Sequence, residues 1–323
     1  MIVKPIDFNW NPNFSIFAKE SFLKSVGDKY GWVGGYDSAG DLCFVLPYTI
    51  INKFIFRMVR FRVETISINN NFEISKEKDF LTQTIKYFKS IKANIIIPAT
   101  TNTIFRTYPD GAIAAPYGSY IIDLDLDHNS LWKNLNRIVR QNINKAKKEG
   151  VLIKNGDDYL IEAYDLIKET FNRSDLPFMD IGSFRRYISG IGKNGLFLVA
   201  DYQNVPQSVC FFAFSNYCAY AIYAGNKQNM IDGSNKLLYW EAILFFKSIG
   251  VRYFDFVGAR INPAKGSKQD NINAIKRRFG ATLKEGFIWK YPINSTVFHL
   301  YNIAANFRTG GDIVDAEHHK LQK

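Results

Sequence analysis

The sequence predicts an α/β (α+β) fold made of two tandem units, each a mixed sheet flanked by helices. Three observations lead there. Runs rich in β-branched and aromatic residues alternate with short polar turns, the mark of paired strands. One order of elements, βββαβαβ, is read in the second half and met again in the first. Between the halves of the 323-residue chain lies RQNINKAKKEGV (140–151), which closes a basic amphipathic helix and opens a strand.

In the second half, LFLVADY (196–202) is a strand, followed by a turn at 203–206. QSVCFFAF (207–214) and CAYAIYAG (218–225) are two more strands. SNKLLYWEAILFFKSIG (234–250) is apolar on nearly every face, long enough for a helix, and stopped by Gly250. RYFDFVG (252–258) is a buried strand, NINAIKRRFG (271–280) a short helix ended by glycine, and LKEGFIWKY (283–291) the last strand. The first half repeats the pattern. GWVGGYD and LCFVLPY flank the turn at 38–41, IFRMVRFRV (55–63) follows, a helix over 76–91 leads to NIII (94–97), and SYIIDLDL (119–126) ends the unit. The hairpin at 36–44 aligns with that at 202–211. The expected boundaries are 1–150 and 151–294, with residues 295–323 folding back onto the first unit. The polar tail beyond Thr309 is expected to be mobile.

The seam helix spans 130–149, with Leu131, Leu135, Ile138, Ile143 and Ala146 as its apolar stripe and Asn129 or Ser130 as its cap. Lys133, Arg137, Arg140, Lys145, Lys147 and Lys148 cover the rest. Basic residues late in a helix suit its dipole, so a solvated face and a phosphate-facing surface are both open readings.

Composition sets the outer bounds. Apolar residues are 47% and charged residues 22%, which is globular and not disordered. No apolar run approaches the roughly 20 residues of a membrane-spanning helix, and the start, MIVKPIDFNW, lacks a secretory pattern. A cytoplasmic location is expected. Cys43, Cys210 and Cys218 sit in apolar runs without metal-ligand spacing and are expected to be free buried thiols. The four histidines, His128, His299, His318 and His319, show no metal spacing beyond a tail pair. The net charge of +11 favours anionic partners: nucleic acid, phosphorylated metabolites or an acidic membrane face, so peripheral membrane contact is also open.

Taken together, several strings resemble the FemAB group of transferases and its acetyltransferase-like relatives, which are built from two GNAT-like domains. They are FNWNPNFSIFAKESFLKSVG, DLDLDHNSLWKNLNRIVRQNINKAKKEGV, IKETFNRSDLP, AIYAGN, NKLLYWEAI, VRYFDFVG and IKRRFGATLKEGF, in that order along the chain. The resemblance implies transfer of an acyl or aminoacyl group to an amine of a peptidoglycan or surface-polysaccharide precursor. The amine attacks the activated carbonyl directly, and the protein positions two substrates and stabilises an oxyanion. It implies a catalytic role for Lys276, three residues before Phe279-Gly280, near the donor ester. It implies that Arg173 binds acceptor phosphates and that Tyr223 lines the pocket. Arg140 and Asn235 complete the expected substrate-binding set. Asp255 and Glu241 are carboxylates in apolar runs, for which structural hydrogen bonding competes with a general-base role.

The chain departs from one related pattern. A CoA-binding GNAT carries Q/R-x-x-G-x-G/A at a helix start. With Gly233 as its first glycine, Met230 and Asn235 take the other key positions and do not fit. This favours aminoacyl-tRNA or another acyl carrier as donor, with acyl-CoA still possible, and no tightly held cofactor or metal. Two alternatives stand beside this reading: an acyl-CoA-dependent N-acetyltransferase of an amino sugar or other small amine, and a non-catalytic RNA-binding module resting on the basic seam helix.

Overall fold

A computed structural model describes residues 1–68, 73–156 and 159–321. The first half contains strands β1 (Ile2–Ile6), β2 (Lys29–Tyr36), β3 (Leu42–Lys53), β4 (Phe56–Phe61), β5 (Ile66–Ser67), β6 (Ile95–Ile96) and β7 (Ile113–Asp123). Helices α1 (Glu20–Val26) and α2 (Ile74–Ser90) lie among them. Helices α3 (His128–Asn134) and α4 (Arg137–Lys148) form the seam. The second half contains β8 (Leu152–Asn155), α5 (Leu160–Asn172), α6 (Ile181–Ile191), β9 (Gly195–Tyr202), β10 (Val205–Phe214) and β11 (Cys218–Asn226). It continues with α7 (Ser234–Ser248), β12 (Tyr253–Asp255), β13 (Ala259–Arg260), α8 (Lys268–Arg278) and β14 (Thr282–Pro292). Helices α9 (Ser295–Thr309) and α10 (Ile313–Leu321) close the chain.

Two meanders of one design face each other. In the first, β1, β2, β3 and β4 pair antiparallel and β6 joins β4 in parallel. In the second, β8, β9, β10 and β11 pair antiparallel and β12 joins β11 in parallel. A parallel step needs a helical crossover, supplied by α2 in one half and α7 in the other. The sixth place in each sheet is filled by the opposite half: β7 pairs antiparallel with β12, and β14 pairs antiparallel with β6. β7 and β14 also pair with each other from Ile113↔Lys290 to Ile121↔Thr282, which fuses the sheets.

The cores follow the faces. Phe80, Leu81, Ile85 and Phe88 share one face of α2 and pack on Phe44, Phe61 and Trp289. Trp289, on the exchanged strand β14, is buried among first-half residues; its ring lies 5.3 Å from that of Phe61. On one face of the second sheet, α4 and α7 cover Cys210, Phe212, Ala219 and Phe254. The other face carries Phe197, Phe211 and Tyr220, packed against α1, α5 and α6 and against Trp32, Val45 and Val63 of the first half. That last cluster seals the seam between the halves.

Several local expectations are corrected. The seam is two helices, not one: Leu135 is extended (φ −63°, ψ 136°), and Asn136 caps α4 by accepting from the Ile138 amide at 2.9 Å. The break shifts the helical phase, so Val139 is buried where Ile138 was expected, and Ile138 is 53% exposed. Asp127, not Asn129 or Ser130, caps α3. Residues 310–321, expected to be mobile, are packed. α10 buries Val314 and Glu317, and His318 Nδ1 sits 2.9 Å from the Ala114 carbonyl. Lys290, fully buried, donates to Asn302, Asp312 and Asp315, so it holds both closing helices. Cys43 is half-buried, while Cys210 and Cys218 are buried; all three are free. The sequence also predicts a helix over 158–171, ahead of Arg173, and α5 is that helix; residue 158 itself lies outside the described residues.

Candidate functional site

A cleft of about 660 Å³ opens between the halves. Its first-half wall is the end of α1 with Lys24 and Gly27, then Asp28, Arg60, Arg62 and the loop Thr100, Thr101 and Asn102. Its second-half wall is Met179, Ser183, Arg186 and Tyr187 around α6, with Ile222 and Tyr223 of β11. The strand pairing shapes this wall. β11 pairs with β12 only as far as Tyr220↔Asp255, and beyond that point the two strands part. Just past it, Phe211 pairs with Tyr223 and Phe212 with Ala221, leaving Ile222 as a bulge. A bulge re-aims side chains, and here it brings consecutive residues, Ile222 and Tyr223, to the cleft.

The floor is cationic. Arg62 is buried; its Nη2 donates to the Val26 carbonyl at 2.8 Å and its Nε to Thr49 Oγ1 at 3.3 Å. Arg60 Nε donates to the Pro98 carbonyl at 3.1 Å. Tyr187 and Tyr223 act on both guanidiniums and Tyr301 on Arg60; Asp28 lines the same cleft, but among the described residues no carboxylate forms an ion pair with either arginine. Burial, and then the Arg60 charge, pull Arg62 down to about 9, so it remains cationic at neutral pH. A buried guanidinium beside a part-buried one, neither ion-paired among the described residues, is unfavourable until an anion arrives. Tyr223 stands across from them with its ring 5.5 Å from Tyr187. Burial pushes its hydroxyl up to about 12, so at neutral pH it is a hydrogen-bond donor and not a base.

The sequence-derived candidates are dispersed. Tyr223 lines the cleft. Arg173 caps α5; its guanidinium donates to Glu169, Thr170 and the Asn226 carbonyl, so it ties α5 to the end of β11 behind the cleft wall. Arg140 turns back on α3 and donates to the carbonyls of Trp132, Lys133 and Leu135, the orphan acceptors of that helix end. Asn235 lies in the first turn of α7 with a buried Oδ1 that has no hydrogen-bond partner. Lys276 is buried, and its ammonium donates to the carbonyls of Val257 and Gly258 rather than lining the cleft. Burial pulls it down to about 8, against the opposing pull of Asp255. Asp255 is also buried, accepts from Ser119 Oγ and the Val257 amide, and is pushed up to about 6 by burial. Glu241 is not buried; it pairs with Lys147 at 2.8 Å on the α4–α7 surface.

Sequence reasoning missed Arg60, Arg62, Arg186 and Tyr187. IFRMVRFRV reads as one more strand, and nothing local says that two of its arginines face a cleft. α6 carried a usable signal: Asp180 caps it, accepting from the Ser183 amide at 2.9 Å, just ahead of the FRRYI run.

Among the described residues no helix is long and apolar enough to cross a membrane. No family model and no curated protein matches the sequence.

An antiparallel meander with a parallel fifth strand, made twice and joined by exchanged strands, defines a tandem GNAT-like fold. Solved structures share it. FemX superposes with a TM-score of 0.67 at 13% identity, over 90% of this chain and 95% of that one. The C-terminal domain of a putative lysylphosphatidylglycerol synthetase from Agrobacterium fabrum gives 0.55 at 11% identity, over 90% and 92%. A tandem GNAT protein from the clavulanic acid biosynthesis pathway gives 0.50 at 10% identity, over 85% and 86%. The fold of this chain is therefore FemAB/GNAT-like.

Proposed function

We propose that this protein is a transferase that moves an acyl or aminoacyl group from an activated carrier to an amine of an anionic cell-envelope precursor. The observation that carries the reading is the Arg60–Arg62 pair, cationic and with no carboxylate in ion-pair range among the described residues, in a cleft walled by the parted strand β11. Guanidinium forks suit phosphate or carboxylate oxygens, and an anionic acceptor would supply the missing counter-charge. The acceptor nitrogen attacks the carbonyl carbon of the donor ester, the new C–N bond forms, and the carrier departs with the ester oxygen. One ammonium proton leaves to solvent or to that oxygen. In this reading the Tyr223 hydroxyl donates to the oxyanion or to the acceptor.

A carrier other than CoA is favoured by the start of α7. Gly233 caps this helix at φ +85°, and a Cβ there would come within 2.1 Å of the Asn142 carbonyl. The glycine thus admits the backbone of α4, and a carbonyl oxygen faces the place where a pyrophosphate would need donors. The exposed Lys133, Arg137 and Lys148 around the seam suit a tRNA backbone, although Lys145 and Lys147 are engaged by Asp232 and Glu241.

The test is a transfer assay with charged tRNA or acetyl-CoA as donor and a nucleotide-linked peptidoglycan precursor as acceptor. Arg62→Ala is expected to raise the KM for the acceptor by roughly 10–100-fold, in line with loss of charged hydrogen bonds. Unchanged acceptor kinetics in Arg60→Ala and Arg62→Ala would overturn the acceptor assignment. Micromolar calorimetric binding of acetyl-CoA would overturn the donor preference.

A further inference from the structure

The surface at the β3–β4 hairpin is built against the ordinary rules for solvent-facing residues. Phe54, at the tip of the β3–β4 hairpin, is 93% exposed, and Ile55 beside it is 61% exposed. Lys53 pairs with Phe56 across this two-residue turn. Phe54 takes φ +53°, a conformation that favours glycine and is strained for a bulky residue. The turn thus tolerates strain in order to hold an aromatic ring out in water.

The hairpin does not stand alone. Its base meets the α2–β6 turn and the start of α9 at Asn94, whose side chain accepts from the Arg57 amide at 2.9 Å and whose carbonyl accepts from Asn294 at 2.8 Å. The inner face of α9, with Phe298 and Tyr301, packs on Met58, Ile95 and Phe56. Its outer face carries Leu300, Ile303, Ala304 and Phe307, a stripe at i, i+3, i+4 and i+7 that points to solvent. Phe307 is 96% exposed, Ile303 54% and Leu300 45%. Exposed Lys53, Lys89 and Lys92, with part-exposed Arg57, stand around the same junction.

We infer that the hairpin tip and the outer face of α9 form a docking surface for an anionic lipid bilayer. Apolar side chains mixed with lysines suit the boundary between headgroups and acyl chains. The same lysines argue against a protein partner, because interface cores are depleted of Lys. The net charge of +11 gives the long-range attraction, and each lysine near an anionic surface adds about 1 kcal/mol. This surface lies outside the proposed chemistry, and the bilayer it binds need not contain donor or acceptor.

The experiment is co-sedimentation of the full chain with phosphatidylglycerol-containing vesicles and with pure phosphatidylcholine vesicles, without donor or acceptor. Binding to the anionic vesicles is expected, weakened by salt. Phe54→Gly with Phe307→Ser is expected to reduce partitioning by roughly 100-fold or more. Phe54→Gly relieves the positive-φ strain, so that loss cannot be assigned to unfolding. Lys89→Gln and Lys92→Gln should each lower partitioning by about 5-fold. Three results would overturn the inference: no vesicle binding, unchanged binding by the apolar variants, or a wild-type dimer that those variants convert to monomer. Because no group transfer is measured, its failure leaves the transferase reading untouched.

Discussion

The ammonium of Lys276 donates to the carbonyl of Val257 at 2.6 Å and to that of its neighbour Gly258. Val257 and Gly258 both take positive φ, 41° and 61°, and the first is a β-branched residue in a region such residues avoid. The lysine therefore clasps a strained turn at the end of β12, next to the point where β11 and β12 part. Its first effect is on the shape of the splay. Lys276→Ala leaves two part-buried carbonyls without their ammonium donor and is expected to lower unfolding free energy by roughly 2–4 kcal/mol, alongside any loss of transfer. Chemical denaturation read beside activity separates the two roles. A variant of wild-type stability that transfers nothing would return the ammonium to the chemistry.

Asp255 lies on the other side of the same turn and titrates in a useful window. Burial raises its carboxyl to about 6 from an ordinary 3.8, against the lowering effects of Ser119, the Val257 amide, Lys284 and Lys276. A group raised in the folded state binds its proton more tightly there than in the unfolded chain. Its contribution to stability is full below about pH 4 and is lost as pH rises through 6. Asp255→Asn should remove that fall, which is at most about 3 kcal/mol. Urea unfolding of both proteins between pH 4 and 7 checks it: the variant should gain on wild type as pH rises. A constant difference across that window would show that Asp255 ionises freely in the fold.

The strands of the two meanders were legible because each is a short, β-rich run bounded by polar turns, and α7 because its apolar length ends at Gly250. What pairs with what was not. SYIIDLDL and LKEGFIWKY read as the last strands of their own halves, yet each completes the other's sheet. Local pattern reports that a segment is extended, and partner choice is set by long-range packing, here the burial of Trp289 among first-half rings. The seam broke at Asn136 because a capping side chain and the returning Arg140 satisfy helix ends that periodicity does not count. At the site, Tyr223 was legible through the family resemblance of AIYAGN. Arg60 and Arg62 were not, because a charged residue on a strand looks solvated until the opposite lobe, with Tyr187, is in place.

The strand exchange makes the halves interdependent, and that can be tested by cutting the chain at the seam. A fragment of residues 1–150 would keep β1–β7 but lose β14, leaving the edge of β6 unpaired and the rings around Trp289 uncovered. A fragment of residues 151–323 would lose β7, which contacts β12, β13 and β14, so three strands would lack their partner. Open edges beside uncovered apolar surface favour aggregation over independent folding. Each fragment alone is expected to be aggregated or to lack a cooperative unfolding transition. The two produced together should assemble into a single species with the circular dichroism of the intact chain. Cooperative unfolding of either fragment by itself, with native secondary structure, would mean that its own strands close the core and that the exchanged pair only latches two finished domains.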